Sequence, residues 1–303
     1  MSKKPVLVVG STALDTVECP AGKVEDALGG SCFFFSTAAS LMTPVRLVGV
    51  VGTDFPMDKI DFLKNRNVDL RGLQVKEGNT FRWGGRYHED PNLRDTLFTE
   101  LGVFEQFNPE LPEHFRSTPL VFLGNIQPSL QLKVLEQINN PELVVLDTMN
   151  LWIDLTLDTL KEAVSRVDLI IVNDEEALQL TGKVNLLQAV VELFRMGPDK
   201  VIVKKGQHGA MLFDSQGRRF YAPAYPVMNV KDPTGAGDTF AGGFLGYLAS
   251  HDMDDPATWR RAVIYGSVIA SFAVEDFSMN RTRDLTMEEV ECRVEELRDL
   301  VSF

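Results

Sequence analysis

A glycine-rich turn that presents a carboxylate is the stretch of this chain best suited to chemistry. Residues 231–248 have the sequence KDPTGAGDTFAGGFLGYL, in which Pro233 keeps Asp232 out of helical angles and the glycines permit positive φ just before a helix. The first N–H groups of that helix lack internal partners and lie at the positive end of its dipole, so Gly235 to Asp238 form an anion site. Asp238 can therefore accept a proton from a hydroxyl while the N–H groups stabilise a transferred phosphoryl group.

Three other interpretations of the glycine-rich turn differ in the residues that they require. A Walker loop requires GxxxxGK[ST], which is absent from the sequence. A nicotinamide-dependent dehydrogenase requires a third glycine three positions after Gly237, where Phe240 stands instead. In the third interpretation the glycines only allow close packing of the helix, and Asp238 is an acid at its start. A bare GxGD pattern leaves this last interpretation open.

Short apolar runs that end in glycine or a polar residue predict a parallel sheet. Six runs are apolar on both faces, as buried parallel strands are. They cover residues 6–10, 46–52, 120–125, 143–148, 169–174 and 200–206. Helical periodicity marks residues 31–42, 56–66, 129–138, 157–165, 185–196, 236–250, 258–274 and 286–300. The alternation predicts an α/β fold with a doubly wound, mostly parallel sheet flanked by helices, and ligands beyond the carboxyl ends of its strands.

Two regions, residues 11–28 and 73–104, interrupt this alternation. Both have the pattern of strands and turns without a helix, and the second contains a Gly-Gly pair. Paired with each other, they form a small β subdomain that acts as a lid or as the interface of a homodimer. An edge hairpin of the main sheet is equally compatible with the pattern. Since no repeat or flexible linker divides the chain, we expect a single domain over residues 1–303 that carries this subdomain.

The overall composition is that of a globular protein with an acidic surface. Hydrophobic residues are 44% and charged residues 24%, and 30 Lys and Arg against 43 Asp and Glu give a net charge of −13. This surplus opposes binding to nucleic acid or to an anionic membrane. Cys19, Cys32 and Cys292 form no CxxC or Cys/His cluster, which opposes a disulfide framework or a zinc site. We expect a small-molecule partner and a cytoplasmic location.

The full string DPTGAGD at 232–238 resembles the D-T-x-G-A-G-D signature of the PfkB-type carbohydrate kinases, which have the ribokinase-like fold. Pro233 stands where the family usually has threonine. Four more elements resemble the family in order and spacing. They are GSTALD at 10–15, GGS at 29–31, NDEE at 173–176 and KKGQHG at 204–209. The resemblance extends over nearly the whole chain and implies a kinase that uses ATP and Mg²⁺.

The resemblance implies residues for catalysis and for binding of the phosphate acceptor. Asp238 resembles the catalytic base of the family. The residues that resemble its anion hole for the γ-phosphate are Gly235, Ala236 and Gly237. In the family, the first aspartate and the di-glycine element contact the acceptor, and glycine lets the backbone approach it closely. The corresponding residues of this chain are Asp15, Gly29, Gly30 and Ser31.

The same resemblance implies a nucleotide site and bound cations. The residues that it assigns to the nucleotide are Asn173, Lys204, Gly206, Gly209, Thr234 and Gly237. Glu176 corresponds to a glutamate that organises Mg²⁺ through its water shell, and Asn173 and Glu176 also have the spacing of a helix capping box. Asp232 corresponds to an aspartate that often helps to hold a monovalent cation such as K⁺. Lys204 and Lys205 are adjacent on a strand, so at most one of them reaches phosphate.

The acceptor pocket departs from the family pattern toward apolar residues. Phe34 stands where ribokinase-type relatives have asparagine, and the residues just before Asp15 are apolar. The aromatic triplet 33–35 is either part of the helix core or a wall of the pocket. In the second case one ring, together with Phe81 or Trp83, stacks on a nucleobase.

We expect an ATP-dependent kinase that phosphorylates a primary hydroxyl of a ribose-like sugar or sugar derivative. Asp238 activates the alcohol, the amides of 235–238 and Mg²⁺ stabilise the phosphoryl group, and the lid excludes water. A nucleoside kinase is the alternative of the same class, favoured by the aromatic residues. A non-catalytic sensor of sugars or nucleotides on the same fold is the alternative of another class, and the retained base disfavours it.

Overall fold

The computed structural model describes residues 3–91 and 93–302, and this part of the chain contains thirteen strands and ten α-helices. The strands are β1 (Val6–Val9), β2 (Ala13–Cys19), β3 (Gly22–Gly29), β4 (Val45–Gly52), β5 (Val68–Lys76), β6 (Phe81–Tyr87), β7 (Arg94–Glu100), β8 (Leu120–Leu123), β9 (Leu143–Asp147), β10 (Leu169–Asn173), β11 (Lys200–Lys204), β12 (Ala210–Asp214) and β13 (Arg219–Ala222). The helices are α1 (Ser31–Ala39), α2 (Asp61–Asn65), α3 (Pro128–Leu135), α4 (Asn150–Leu155), α5 (Leu157–Val164), α6 (Asp174–Thr181), α7 (Leu186–Met196), α8 (Ala236–Ala249), α9 (Pro256–Ala273) and α10 (Met287–Val301).

Nine strands form one large sheet in the order β13-β12-β11-β10-β9-β8-β1-β4-β5. Seven adjacent strands are parallel to one another, namely β11, β10, β9, β8, β1, β4 and β5. β12 pairs antiparallel with both β11 and β13. All six predicted strands lie in this sheet, which confirms the doubly wound, mostly parallel architecture. The predicted range 73–104 begins too early, because residues 73–76 belong to β5 at the edge of the large sheet.

Each face of the large sheet is covered by its own layer of helices. The four side chains of β1 are fully buried, with Val6 and Val8 in one core and Leu7 and Val9 in the other. Helices α1, α8, α9 and α10 contribute to the first core, and α3, α5, α6 and α7 contribute to the second. Because both faces remove apolar side chains from water, these strands are unbroken apolar runs in the sequence.

Four further strands form the small sheet, in the order β3-β2-β6-β7. β2 pairs in parallel with β6, while β3 and β7 pair antiparallel at the two edges. Among the described residues the small sheet and the large sheet share no strand. A separate β subdomain is therefore the correct interpretation of the two interrupting regions, and the edge hairpin is wrong.

The predicted helices are all present, with small differences in their bounds. Helix α1 ends at Ala39, and the segment 56–66 divides into a 3₁₀ turn over Met57–Ile60 followed by α2. Helices α4 and α6 lie outside the predicted ranges, although the capping-box spacing of Asn173 and Glu176 indicates the start of α6. No helix within residues 3–91 and 93–302 is long and apolar enough to cross a membrane.

Two features of the fold bring the glycine-rich turn to the ends of the strands. The strand order reverses at β1, which has β4 on one side and β8 on the other, and a crevice for ligands forms outside the carboxyl ends at such a point. Helix α8 packs directly on α1, since a Cβ at Gly242 would lie 2.4 Å from the carbonyl oxygen of Phe35. The glycines of α8 thus serve close packing as well, and they fix the helix whose first turn carries Asp238.

Candidate active site

The glycine-rich turn leaves N–H groups free at the start of α8. Gly235 is the N-cap with a φ of 71°, and a Cβ there would lie 2.3 Å from the ring of Phe34. The N–H of Ala236 donates to the carbonyl of Pro233 at 3.2 Å. Within the described part of the chain no acceptor receives the N–H groups of Gly235 and Gly237. The predicted anion hole therefore has two free donors, while Ala236 is held in the turn.

Asp238 lies in the first turn of α8 with one carboxylate oxygen that is buried and unpaired. No hydrogen-bond donor reaches its Oδ1 from any described residue. Burial and then the negative charge of Asp147 raise the pKa of Asp238, the ammonium of Lys204 opposes them, and the resulting pKa is about 7. A buried polar atom without a partner is rare in native proteins, and here the unpaired atom belongs to the predicted base.

Asp15 lies on β2 of the small sheet, with its carboxylate packed against the backbone of residue 29. A Cβ at Gly29 would lie 2.0 Å from Asp15 Oδ2. Burial raises the pKa of Asp15 to about 8, and the negative charges of Asp232 and Asp238 contribute to the rise. The structure thus brings the predicted acceptor-binding aspartate within electrostatic reach of the predicted base.

Of the other two residues predicted for the acceptor, Gly30 follows β3 and Ser31 begins α1, and both lie against Ser11 in the loop after β1. Gly30 has a φ of 89°, and a Cβ there would lie 2.6 Å from the carbonyl oxygen of Ser11. Ser31 and Ser11 each donate a backbone N–H to the hydroxyl of the other at 3.0 Å. Both side chains are therefore engaged in this connection, and contact between Ser31 and an acceptor stays a prediction.

Asn173 and Glu176 form a reciprocal capping box at the start of α6. The N–H of Glu176 donates to Asn173 Oδ1 at 2.7 Å, and the N–H of Asn173 donates to Glu176 Oε2 at 2.7 Å. The capping interpretation is thus confirmed, and it leaves Glu176 Oε1 available for a water-mediated contact with Mg²⁺. Burial raises the pKa of Glu176 to about 7, against the lowering effect of Lys204.

Lys204 extends from the end of β11 over the first turn of α8. Its Nζ lies 3.0 Å from the position that a Cβ at Gly237 would occupy, and it pairs with Asp147 Oδ1 at 3.3 Å. Burial would lower the pKa of Lys204, but the carboxylates of Asp147, Glu176 and Asp238 outweigh it and raise the pKa above its ordinary value.

Asp147 joins this cluster of charged residues, and the sequence pattern does not single it out. It ends β9, its carboxylate is buried, and it pairs with Lys204 across the end of β10. Burial raises the pKa of Asp147, while Lys204 lowers it. The run LVVLDT predicts that Asp147 lies at the end of a strand. Every other predicted strand also ends in glycine or a polar residue, so this pattern does not distinguish Asp147.

The remaining residues assigned to the nucleotide line two loops. Gly206 and Gly209 have φ values of 52° and 87°, and a Cβ at Gly209 would lie 2.0 Å from the carbonyl oxygen of Ala222. Thr234 donates its hydroxyl to the Tyr87 hydroxyl at 3.1 Å. This last contact joins β6 of the small sheet to the glycine-rich turn.

Asp232 lies buried beneath the glycine-rich turn. Its Oδ1 accepts the N–H of Thr234 at 2.9 Å, and its Oδ2 accepts the N–H of Ser278 at 3.1 Å. Burial raises the pKa of Asp232, and these hydrogen bonds oppose the rise. The aspartate therefore has a structural role in the turn, and the monovalent cation predicted beside it stays a prediction.

The aromatic triplet belongs to the core. Phe33 stacks on Phe55 with ring centroids 5.5 Å apart, and Phe35 stacks on Phe122 at 4.5 Å. Phe34 is also buried. None of the three rings presents a free face at the surface of the described chain, so the core interpretation is correct for 33–35.

Trp83 is the aromatic residue placed nearest to Asp15 by the sheet register. Asp15 and Trp83 are direct partners in the parallel pairing of β2 with β6, which puts their side chains on one face of the small sheet. The ring of Trp83 lies over Gly85, where a Cβ would be 2.1 Å from it, and the Arg94 guanidinium is 5.1 Å from the ring centroid.

A surface cleft of about 460 Å³ lies at the amino ends of β9, β10 and β11, opposite to the carboxyl ends described above. Its lining includes Lys200, Asp214 and Trp259 and none of the residues predicted for the site. The predicted base Asp238, the free N–H groups and Lys204 lie instead at the carboxyl ends of the strands.

The chain is similar to known kinases over most of its length. A family model described as pfkB family carbohydrate kinase matches residues 120–284. Cytidine kinase of Thermococcus kodakarensis is 32% identical over 258 residues, which cover 82% of this chain and 91% of that protein. Among solved structures, Burkholderia thailandensis nucleoside kinase in complex with inosine has a TM-score of 0.80 at 20% identity, covering 96% of this chain and 97% of its own. An E. coli protein assigned as ribokinase II, solved with ATP and Mg²⁺, has a TM-score of 0.80 at 20% identity, covering 97% and 99%.

Proposed function

Because the chain belongs to the pfkB family of carbohydrate kinases, phosphotransferases that act on a hydroxyl group, we propose that it transfers the γ-phosphoryl group of ATP to a primary hydroxyl of a nucleoside. The observation that carries this proposal is the unpaired Oδ1 of Asp238, which is buried beside two free N–H groups and a lysine. A base next to an anion site is what phosphoryl transfer to an alcohol requires.

Asp238 acts as the general base in this proposal. Its ionised carboxylate accepts the proton of the acceptor hydroxyl, so that the oxygen becomes nucleophilic as the phosphoryl group approaches. The free N–H groups of Gly235 and Gly237 stabilise charge on the transferred group, aided by the dipole of α8. The helix therefore supplies both the base and the anion hole from a single turn.

The position of Lys204 supports an anionic ligand at this turn. A lysine ammonium beside the positive end of a helix dipole is repelled unless negative charge compensates it. Asp147 compensates part of that charge, and a phosphate bound between Lys204 and Gly237 would compensate the rest. Lys204 is thus suited to bind nucleotide phosphate, while Asn173, Gly206, Gly209 and Thr234 border the same edge.

The residues at this site also suit Mg²⁺. A bound Mg²⁺ ion would lower the repulsion between the phosphate oxygens and the incoming nucleophile. Glu176 offers Oε1, a hard oxygen ligand that the capping box leaves free, at the edge where Lys204 and Asp238 meet. It would hold the ion through water. A monovalent cation near Asp232 is a separate prediction, tested by comparing activity in potassium and in choline salts.

Asp15 is the residue that we assign to the acceptor. It lies on β2 beside Gly29, and it is close enough to Asp238 for the charge of Asp238 to raise the pKa of Asp15. A carboxylate there accepts two hydrogen bonds from a vicinal diol, as on the ribose of a nucleoside. The similarity to a cytidine kinase and the placement of Trp83 favour a nucleoside over a free sugar.

A free ribose-like sugar, our first expectation from the sequence, is the second candidate acceptor. The Trp83 ring already lies against Gly85 and under the guanidinium of Arg94, 5.1 Å from its centroid. A nucleobase that stacks on the face under Arg94 requires Arg94 to move or to stack on the base from the far side. A free sugar needs no such movement.

We assign the small sheet the role of a lid within a single domain. It carries Asp15, and the hydrogen bond between Thr234 and Tyr87 connects it to the glycine-rich turn. A lid over the acceptor would exclude water, which otherwise competes as a phosphoryl acceptor. The edge strands β3 and β7 leave hydrogen-bonding positions for a second copy of the chain, and a homodimer through them stays a prediction.

The test of the proposed function is ATP consumption with Mg²⁺ in the presence of single acceptors. Cytidine, other nucleosides, ribose and other free sugars would each be supplied at equal concentration. Faster consumption with nucleosides alone supports the proposal, and faster consumption with ribose alone supports the second candidate. ATP binding without stimulation by any acceptor would favour the non-catalytic sensor.

A further inference from the structure

The ion pair between Asp147 and Lys204 joins the end of β9 to the first turn of α8. The two charged atoms are 3.3 Å apart, and both side chains are largely buried, with 7% and 19% of their surface exposed. Of the three carboxylates that act on Lys204, Asp147 is the one that forms an ion pair with it among the described residues. The ammonium is therefore directed by Asp147.

The backbone of Asp147 is anchored by a buried side chain. Its carbonyl oxygen accepts a hydrogen bond from the fully buried Gln131 at 3.0 Å, and the same amide group donates to the carbonyl of Gly124 at 2.9 Å. Gln131 thereby joins the ends of β8 and β9. A continuous set of contacts runs from this buried amide through Asp147 and Lys204 to the backbone of Gly237.

The other carboxylates near Lys204 have separate roles. Glu176 caps α6 through its Oε2, and Asp238 is the proposed base. Asp147 has no such role, and an ion pair that is largely buried is costly to form unless its geometry serves a purpose. Without Asp147, Lys204 would be repelled by the start of α8 and its four-carbon chain would be free to turn toward solvent.

We propose that Asp147 is a positioning residue, which holds the Lys204 ammonium over Gly237 so that it meets the phosphate of the bound nucleotide. This inference depends on the proposed function for the identity of the ligand. Asp147 contributes through Lys204 and does not contact the nucleotide or its metal ion. Loss of Asp147 therefore weakens nucleotide binding only while Lys204 is present.

A double-mutant cycle tests this proposal. The variants are Asp147→Asn, Lys204→Met and the double variant, and the readouts are the Kd for MgADP by calorimetry and the KM for ATP. We expect Asp147→Asn to weaken nucleotide binding by roughly tenfold, and the double variant to bind no more weakly than Lys204→Met alone. The exposed Asp154, whose carboxylate accepts a hydrogen bond from Gln179, provides the matched control Asp154→Asn, which should leave both values unchanged.

Three outcomes would overturn the assignment. Additive losses in the double variant would show that Asp147 acts independently of Lys204. A higher Mg²⁺ requirement in Asp147→Asn with an unchanged Kd for free ADP would show that it serves the metal ion instead. Unchanged binding in Asp147→Asn would show that Lys204 needs no support.

Two further measurements keep the proposal testable in unfavourable cases. If Asp147→Asn folds poorly, Asp147→Glu, which keeps the charge, should restore binding toward that of the unmodified chain, and failure to do so would count against the ion pair. Because calorimetry with MgADP needs no acceptor, the cycle can be completed even if every acceptor fails. Failure of the proposed function is thus separable from failure of this inference.

Discussion

The carboxylate of Asp15 occupies the space that a side chain at residue 29 would need, with Oδ2 2.0 Å from the Cβ position of Gly29. Gly29→Ala must therefore displace this carboxylate, which we propose binds the acceptor. A lost hydrogen bond to a charged group costs about 1.5–3 kcal/mol, so we expect the KM for the acceptor to rise roughly 10- to 100-fold. Steady-state kinetics with varied acceptor and saturating ATP measure this change, and the KM for ATP should stay constant.

Two variants serve as comparisons for Gly29→Ala. Asp15→Asn should show the same loss, because both changes remove one interaction. Gly182→Ala is the control, since no atom lies within 4 Å of its Cβ position and its φ of 65° costs only stability, about 1 kcal/mol. If Gly29→Ala kept the acceptor KM of the unmodified chain, Asp15 would not be the acceptor ligand.

Asp238→Asn should remove catalysis and spare nucleotide binding. The amide has nearly the same shape as the carboxylate but cannot accept the proton of the hydroxyl. General-base catalysis contributes about 10²- to 10⁴-fold, so we expect kcat to fall within that range. Rapid-quench or coupled assays measure kcat, and calorimetry with MgADP checks that the site is intact. A variant with more than half the original kcat would contradict the role of Asp238.

The elements that carry the site could be predicted from the sequence because their signals are local. A buried parallel strand is an apolar run with a polar exit, and Asp147, Asn173 and Lys204 each end such a run. The start of α8 is marked by a proline and by glycines. These signals depend on a few neighbouring residues, so they identify the strand ends at which we propose that ligands bind.

The contacts between those residues could not be predicted, because they join strands that are distant in sequence. Asp147 and Lys204 are separated by β10 in the sheet, and no local pattern shows that their side chains meet. Edge strands raise a different problem. β5 is half-exposed and alternates in polarity as the strands of the small sheet do, which explains why residues 73–76 are misassigned from the sequence.

The pH dependence of kcat should show the titration of Asp238. Burial raises its pKa to about 7, and the base works only when ionised. We therefore expect kcat to rise as the pH increases through about 7 and to level off above about 8. The positive charge of Lys204 lowers this pKa, so Lys204→Met should move the rise to higher pH. A rise that stays in place in Lys204→Met would point to another group.

Glu176→Gln should raise the Mg²⁺ requirement without loosening α6. The carbonyl oxygen of glutamine can accept the N–H of Asn173 as Glu176 Oε2 does, so the capping box is kept while the negative charge is lost. We expect the half-saturating Mg²⁺ concentration to rise roughly tenfold. Titration of activity with Mg²⁺ at fixed ATP measures it. The exposed neighbour provides the control Glu175→Gln, and an equal rise in both variants would contradict a specific role.

The buried carboxyl of Asp15 should make the ligand-free protein less stable as the pH rises. Its pKa is about 8 in the folded chain against an ordinary value of 3.8, so between these values the folded state keeps a proton that the unfolded chain has lost. The free energy of unfolding must then fall as the pH increases from about 4 to about 8. We expect Asp15→Asn to reduce that fall and to have the higher Tm at pH 8.

Thermal unfolding at pH 5 and pH 8 measures this effect, since each kcal/mol shifts Tm by roughly 2–4 °C in a chain of this size. Other buried carboxyl groups contribute to the same loss of stability, since the pKa of Asp238 and that of Glu176 are each raised to about 7. Adding Asp238→Asn to Asp15→Asn should therefore reduce the dependence of Tm on pH further. If Asp15→Asn melted at the same temperature as the unmodified chain at both pH values, the Asp15 carboxyl would be ionised in the folded state. Asp15 would then be available to bind the acceptor without a cost in the stability of the folded chain.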